Sequence, residues 1–317
     1  YTDLYAHTSF TNYACIPGYL KKEYDEKLKA GIDPFTAEDY ENYRKFCRAA
    51  IERYGKYITS WRVPDEIMLT RYHNKFAQTQ YYKFCRIFYE ELKKQYPNTP
   101  LYAGGAFFGE EKYADLKRDV WDKIKDSVDG LCVDAYPHGI SVGVGQNYLG
   151  PEQIKLRERY LKTFDITGVK AFVNEETGSG IQRNLALDSN ELREFAIINA
   201  RMVIVCKSMN QVKGWTWFLV EDAKSAWNGN YDYAMWKEYN PRPHAATYAL
   251  VTRQLAFAQD GIEVKPHADI YSYVFKRKGK TLLTIWAFSK DLVDAKIDMP
   301  SDWTAVDLMG KHFSGKK

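Results

Sequence analysis

The sequence predicts an α/β fold, a (β/α)8 barrel, with a small all-β domain appended at its carboxyl end. Three observations carry that expectation. Strand-like and helix-like segments alternate from residue 36 to residue 258, which implies a parallel sheet with crossover helices. The strand landmarks Trp61, Leu101, Leu131, Ala171 and Gly214 recur at intervals of 40, 30, 40 and 43 residues, the scale of a βα repeat. Residues that a buried strand should avoid gather at the carboxyl ends of these segments, where a barrel holds its chemistry.

The elements follow in order. YTDLYAHTSF reads as a strand. A helix opens at Thr36, an N-cap with Asp39 three residues on, and runs AEDYENYRKFCRAAIERYG. The strand YITSWRVPDE follows, then the helix QTQYYKFCRIFYEELKKQY and the strand PLYAGGAFFG. The helix YADLKRDVWDKIKDSV leads to the strand GLCVDAYPHG, and the helix PEQIKLRERYLKTF leads to KAFVNEETG. NELREFAIINARMVIVCKSM precedes the strand VKGWTWFLVED, and a last helix lies near PHAATYALVTRQLAFA. After Asp260 the texture changes to alternation about the turn RKGK, a hairpin, continued by AKIDMP and WTAVDLMG. The expected boundaries are therefore a barrel over residues 1–260 and a β-domain over 261–317.

An open nucleotide-binding sheet is the competing parallel architecture. It needs a glycine-rich phosphate loop after an early strand; the nearest stretch, GISVGVGQNYLG, follows a late one and reads as a plain loop.

Composition narrows the function. Hydrophobic residues are 45% and charged residues 27%, a globular balance that supports a sizeable core. A formal charge of +4 with no basic run argues against nucleic acid. No apolar run approaches the roughly 18 residues of a membrane span. The chain begins at Tyr1 without a signal sequence, and a secreted or periplasmic protein whose leader is already removed is the favoured address. The cysteines (Cys15, Cys47, Cys85, Cys132, Cys206) form no CxxC pair and read as packing residues. The six His are scattered and no H-E-x-x-H or G-x-S-x-G occurs, so no metal and no cofactor is expected. Aromatic residues reach 15%, with 25 Tyr and 8 Trp, which suits stacking on flat sugar faces.

The acidic residues make the case specific. Glu66 follows SWRVPD, and Glu175 and Glu176 close the apolar strand AFVN, so that Glu66 and Glu176 stand 110 residues apart, three βα units. Two carboxyls facing each other across a barrel mouth suit glycoside cleavage, one attacking the anomeric carbon and one protonating the leaving oxygen.

SWRVPDEIM resembles the fourth strand of the clan A retaining glycoside hydrolases, where a W-x-x-x-N-E pattern ends in the acid/base Glu. FVNEETG resembles their seventh strand, which ends in the nucleophile within an E-x-G pattern, VDGLCVDAYPHG is similar to the sixth and VKGWTWF to the eighth. The nearest texture is the family 39 type, and the likeness covers roughly residues 1–260.

The resemblance implies Glu66 as acid/base and, from the E-x-G register, Glu176 as nucleophile, with Glu175 its alternative. It implies Tyr136 as hydrogen-bond partner of the nucleophile, Trp215 and Trp217 beneath the sugar, and His7, Asp65 and Asp134 lining the site. The implied partner is a β-linked oligo- or polysaccharide, cleaved with retention by double displacement. The sequence departs from the pattern in three places. Asp65 stands where the family has Asn, Asp134 where relatives often have His, and the first two barrel strands have no counterpart. The chain therefore reads as a fragment of a longer polypeptide. The alternative is a barrel that binds carbohydrate without cleaving it, for which Asp65 is the best argument.

Overall fold

The computed structural model describes residues 5–7, 18–63, 76–104, 114, 116–134, 152–177, 181–182, 185–217, 220, 231–232, 234–237, 239–267, 269–287, 297, 302–308 and 310–316. The chain forms two compact units, Tyr1–Ala135 with Leu161–Glu175, and Tyr136–Tyr160 with Glu176–Lys317.

The first unit is built on a sheet whose strands follow chain order. These are β1 (Tyr5–His7), β2 (Ser60–Val63), β3 (Leu101–Ala103), β4 (Gly130–Asp134) and β5 (Phe172–Thr177). β1 pairs with β2, β2 with β3 and β3 with β4, all parallel. At β5 the Leu131 N–H donates to the Ala171 carbonyl at 3.1 Å. Gly130 abuts Ala171, and Cys132 packs with Val173, so the contacts ascend together and β5 also runs parallel to β4.

Helices cover one face. α1 (Gly18–Lys29) was not expected from the sequence; it has no acidic residue in its first turn and buries Tyr24, whose ring meets Phe35 at 5.4 Å. α2 (Ala37–Tyr54) opens on the capping box expected at Thr36 and Asp39. The Asp39 N–H donates to Thr36 Oγ1 at 3.2 Å, and the Thr36 N–H to Asp39 Oδ2 at 2.7 Å. α3 (Ala77–Gln95) buries Tyr81, Phe84, Cys85, Phe88 and Leu92, the recurrence of an amphipathic helix. Phe84 meets Phe35, Tyr40 and Tyr43 at ring separations of 5.3, 5.3 and 4.5 Å, and Trp61 of β2 meets Phe88 at 5.3 Å. The helix expected over 113–128 is a π-helical turn, Leu116–Trp121, running into Asp122–Ile124.

The α2–α3 seam also holds a charge network. Glu91, 2% exposed, accepts from Arg44 at 2.9 Å, Arg48 at 3.1 Å and Lys94 at 2.8 Å. Burial alone would raise its carboxyl, but the hydrogen bonds from Lys94, Arg44 and Arg48 overcome that and hold it at about 2.

The second unit contains the helices Asn190–Lys207 and Pro243–Leu255 and the strand Val212–Trp217. Its antiparallel sheet orders Gln259–His267, Ile270–Arg277 and Lys280–Ala287. The expected hairpin turns at Lys278 and Gly279, whose φ angles of 45° and 77° make a two-residue primed turn closed by Arg277 and Lys280. Trp303–Val306 pairs with His312–Gly315, while AKIDMP lies outside the described residues apart from Ile297.

Among the described residues Cys47, Cys85, Cys132 and Cys206 are buried and take part in no disulfide, as packing residues would, while Cys15 lies outside them. Burial pushes the Cys47 thiol up to about 12 and raises that of Cys85 likewise. Among the described residues no helix is long and apolar enough to cross a membrane.

Candidate active site

In a parallel sheet all carboxyl ends lie along one edge. β2 ends at Val63, β4 at Asp134 and β5 at Thr177. Asp65 and Glu66 follow Val63 by two and three residues and lie outside the described residues, as does Tyr136, two beyond Asp134. Glu175 and Glu176 belong to the last three residues of β5. Two strands, β3 and β4, separate β2 from β5, the interval of three βα units read from the sequence.

Ring contacts identify the two faces of the sheet. Trp61 meets Phe88 of α3, and Phe172 meets Phe164 of the helix Glu152–Thr167 at 5.0 Å. Trp61 and Phe172 therefore mark the helix-covered face. The opposite face carries Tyr102, Cys132 and Val173, which form one buried cluster with Ala171. Strand alternation extends this assignment. Phe172, Asn174 and Glu176 share the helix-covered parity; Val173 and Glu175 share the other, with Cys132 and Asp134 on the neighbouring strand.

The register also recovers a row that the sequence did not disclose. His7 pairs with Arg62, Arg62 with Tyr102 and Tyr102 with Gly130. His7, singled out from the sequence, thus stands level with Arg62 and below the carboxyl ends of β4 and β5. Counting back in steps of two from Glu66 reaches Arg62, which is the signal that could have found it.

β5 is held firmly beneath its acidic end. The helix before it stops at Gly168, whose φ of 69° suits glycine at a helix terminus and whose N–H donates to Phe164 at 2.7 Å. Phe172, Val173 and Asn174 are all essentially buried, so both faces of the strand are covered. Gly130 makes the approach of β4 possible: a Cβ there would stand 2.3 Å from the Ala171 carbonyl oxygen.

The two tryptophans belong to the second unit. Trp217 is 6% exposed and clusters with Leu192, Phe195, Met235 and Ala245. Its ring lies 5.8 Å from Phe195, 5.6 Å from His244 and 6.5 Å from Tyr248, whose phenol is raised by burial. So packed, Trp217 offers little ring surface to a ligand. Trp215 is only half-buried and shares the Trp217 parity. Arg242 Nη1 and His244 Nε2 both donate to the Ala234 carbonyl, at 3.0 and 2.9 Å. This buried guanidinium and imidazole tie the segment after the Trp217 strand to the start of the helix Pro243–Leu255, and the sequence had not singled out either of them for that role.

No protein-family model matches the chain, and no curated protein does. Solved structures do. One is a family 39 glycoside hydrolase from the gut symbiont Bacteroides cellulosilyticus WH2, 16% identical at a TM-score of 0.61, matched over 99% of this chain and 73% of that one. A thermostable mutant of xylanase Xyn10A from Cellvibrio japonicus is 12% identical at 0.56, over 80% and 78% of the two chains. Xylanase 10B from Thermotoga petrophila RKU-1, solved with xylobiose, is 16% identical at 0.53, over 72% and 70%. At these identities the likeness is one of fold. The chain has the (β/α)-barrel fold of these glycoside hydrolases, with small antiparallel sheets toward its carboxyl end, as the sequence predicted.

Proposed function

We propose that the protein is a retaining glycoside hydrolase acting on a β-linked oligo- or polysaccharide, with Glu66 as acid/base and Glu175 as nucleophile. The observation that carries the reading is the strand order β2-β3-β4-β5. In that order β2, which ends three residues before Glu66, and β5, which contains Glu175, are three strands apart in a fold shared with glycoside hydrolases, and this supports the pairing. The sequence pattern E-x-G favoured Glu176. The register favours Glu175, which has the parity of Val173 on the face away from the helices, whereas Glu176 has that of Phe172, which packs on Phe164.

The reaction then runs in two displacements. The Glu175 carboxylate attacks the anomeric carbon while Glu66 gives its proton to the departing glycosidic oxygen. A glycosyl ester on Glu175 results. Glu66, now ionised, takes a proton from water, whose oxygen attacks the same carbon, and Glu175 leaves as carboxylate. Two inversions restore the β-configuration. Unlike environments must hold Glu66 protonated and Glu175 ionised at the start.

The test is a panel of 4-nitrophenyl β-glycosides together with xylobiose. Wild type is expected to hydrolyse at least one of them. Glu175→Gln abolishes turnover, Glu66→Gln lowers it by about 10³-fold on xylobiose, and Glu176→Gln has the mildest effect. Full activity in Glu66→Gln, or no hydrolysis of any β-glycoside by wild type, contradicts the reading.

A further inference from the structure

The hairpin of the second unit ends in a basic tip that the catalytic reading does not use. Lys276, Arg277, Lys278 and Lys280 place four cations in five residues about the turn. Arg277 and Lys280 pair across the ladder and so share one face of the sheet. Arg277 Nη1 donates to the Gln254 carbonyl at 2.9 Å, which directs that face toward the end of the helix Pro243–Leu255. Lys276 belongs to the other face, where its Nζ donates to Thr281 Oγ1 at 3.1 Å. Phe257 follows the same helix, and Lys278 Nζ stands 4.7 Å from its ring centroid. Arg277, Lys278, Lys280 and Phe257 thus gather at one place. Among the described residues none of these three cations meets a carboxylate.

The backbone here is strained on behalf of side chains that the core does not use. The φ angles of Phe257 and Lys278 are 62° and 45°, in the region that favours glycine, and among the described non-glycine residues only Tyr239 shares it. Such strain persists where something else requires it. Packing is not that requirement, since Phe257 is 58% exposed and Lys278 and Lys280 are exposed as well. Nor is the turn, which Asn or Gly would serve better than Lys. The attraction of an exposed ammonium for an exposed ring is itself weak.

An open ring among cations suits a ligand with apolar C–H faces and carboxylates at intervals. The sugar face stacks on the ring, and the ammonium and guanidinium groups hold the carboxylates. Three cations are few for a nucleic-acid track, and a ring capped by an ammonium is ill suited to enter a bilayer, where the charge would lose its water. We propose that Phe257, Arg277, Lys278 and Lys280 form a binding site for an acidic polysaccharide, one built from uronic acids. The site rests on the reading of the chain as carbohydrate-active, not on which Glu is the nucleophile.

Calorimetric titration of the full chain with a β-linked hexamannuronate tests it, beside the same oligomer with its carboxyls reduced to alcohols. The acidic oligomer should bind, and the reduced one at least about tenfold more weakly. Phe257→Asn and Lys278→Asn each place a residue tolerant of positive φ at a strained position. The urea midpoint should therefore hold or rise while affinity falls about tenfold. Lys280→Gln should lose a similar factor, and Lys276→Gln, on the other face, should bind as wild type does. Equal binding of the reduced oligomer, or an equal loss in Lys276→Gln, overturns the site. So does tighter binding to phosphatidylserine vesicles or to a thymidine oligonucleotide than to hexamannuronate. If wild type cleaves a 4-nitrophenyl β-glycoside and binds no hexamannuronate, the site falls alone. Binding without any such hydrolysis keeps the site and removes the catalytic reading.

Discussion

Glu175 and Glu176 are adjacent positions of one strand, which alternate in parity, and the proposed pairing of Glu66 with Glu175 stands on that ground alone. The sequence showed two carboxylates ending an apolar strand. It did not show which face the helices cover, because that depends on Phe172 meeting Phe164 across 5.0 Å. Trp217 illustrates the same limit. A tryptophan in a barrel strand reads equally well as a sugar platform or as core, and only its contacts with Phe195 and His244 assign it to the core. Gly130 carries a prediction at this scale. Gly130→Ala sets a Cβ 2.3 Å from the backbone oxygen of Ala171, the residue before β5, and backbone yields less readily than a side chain. Urea unfolding should show a loss of about 1–3 kcal/mol; an unchanged midpoint means that β4 and β5 are not held this close.

At the scale of elements the sequence was most legible. α2 began at its Thr36 and Asp39 cap, α3 followed its apolar recurrence, and the hairpin turned at Lys278 and Gly279, since each is fixed by local chemistry. α1 was missed although Leu20, Tyr24 and Leu28 recur every four residues, because GYLKKEYDEKLK has no acidic residue in its first turn to mark where it starts. The Glu91 network could not be read either, because Arg44 and Arg48 reach it from another helix. Removing one partner from a buried ion network is costly, and Glu91→Gln should lose about 3 kcal/mol in urea unfolding. The pH dependence has a definite sign. A carboxyl held at about 2 in the folded state stabilises the fold fully above its unfolded pKa of about 4.3, and that contribution fades as the pH falls toward 2. Wild type should therefore lose its advantage over Glu91→Gln across this window. An advantage that stays constant from pH 6 to pH 3 would rule out the network as its source. In the hairpin, Gly279→Ala forces a Cβ into φ 77° and should cost about 1 kcal/mol, read by the same denaturation.

For the whole molecule, the alternation of strands and helices was enough to give the fold, and likeness to the family 39 hydrolase over 99% of the chain agrees with it. The spacing of the acidic residues was legible for the same reason, since βα repeats set where each strand ends. The pairing of partners was not, because it depends on strand parity, which one residue of slippage reverses. The account as a whole stands on Glu175 forming a glycosyl ester. The measurement that reaches this most directly is azide rescue of Glu175→Ala on the best 4-nitrophenyl β-glycoside, with the product identified by proton NMR. The account predicts an inactive variant that azide partly revives, yielding the α-glycosyl azide, because a small anion in the vacated place attacks once and inverts the anomeric centre. Wild-type hydrolysis by Glu175→Ala without azide, or rescue at Glu176→Ala instead, contradicts it.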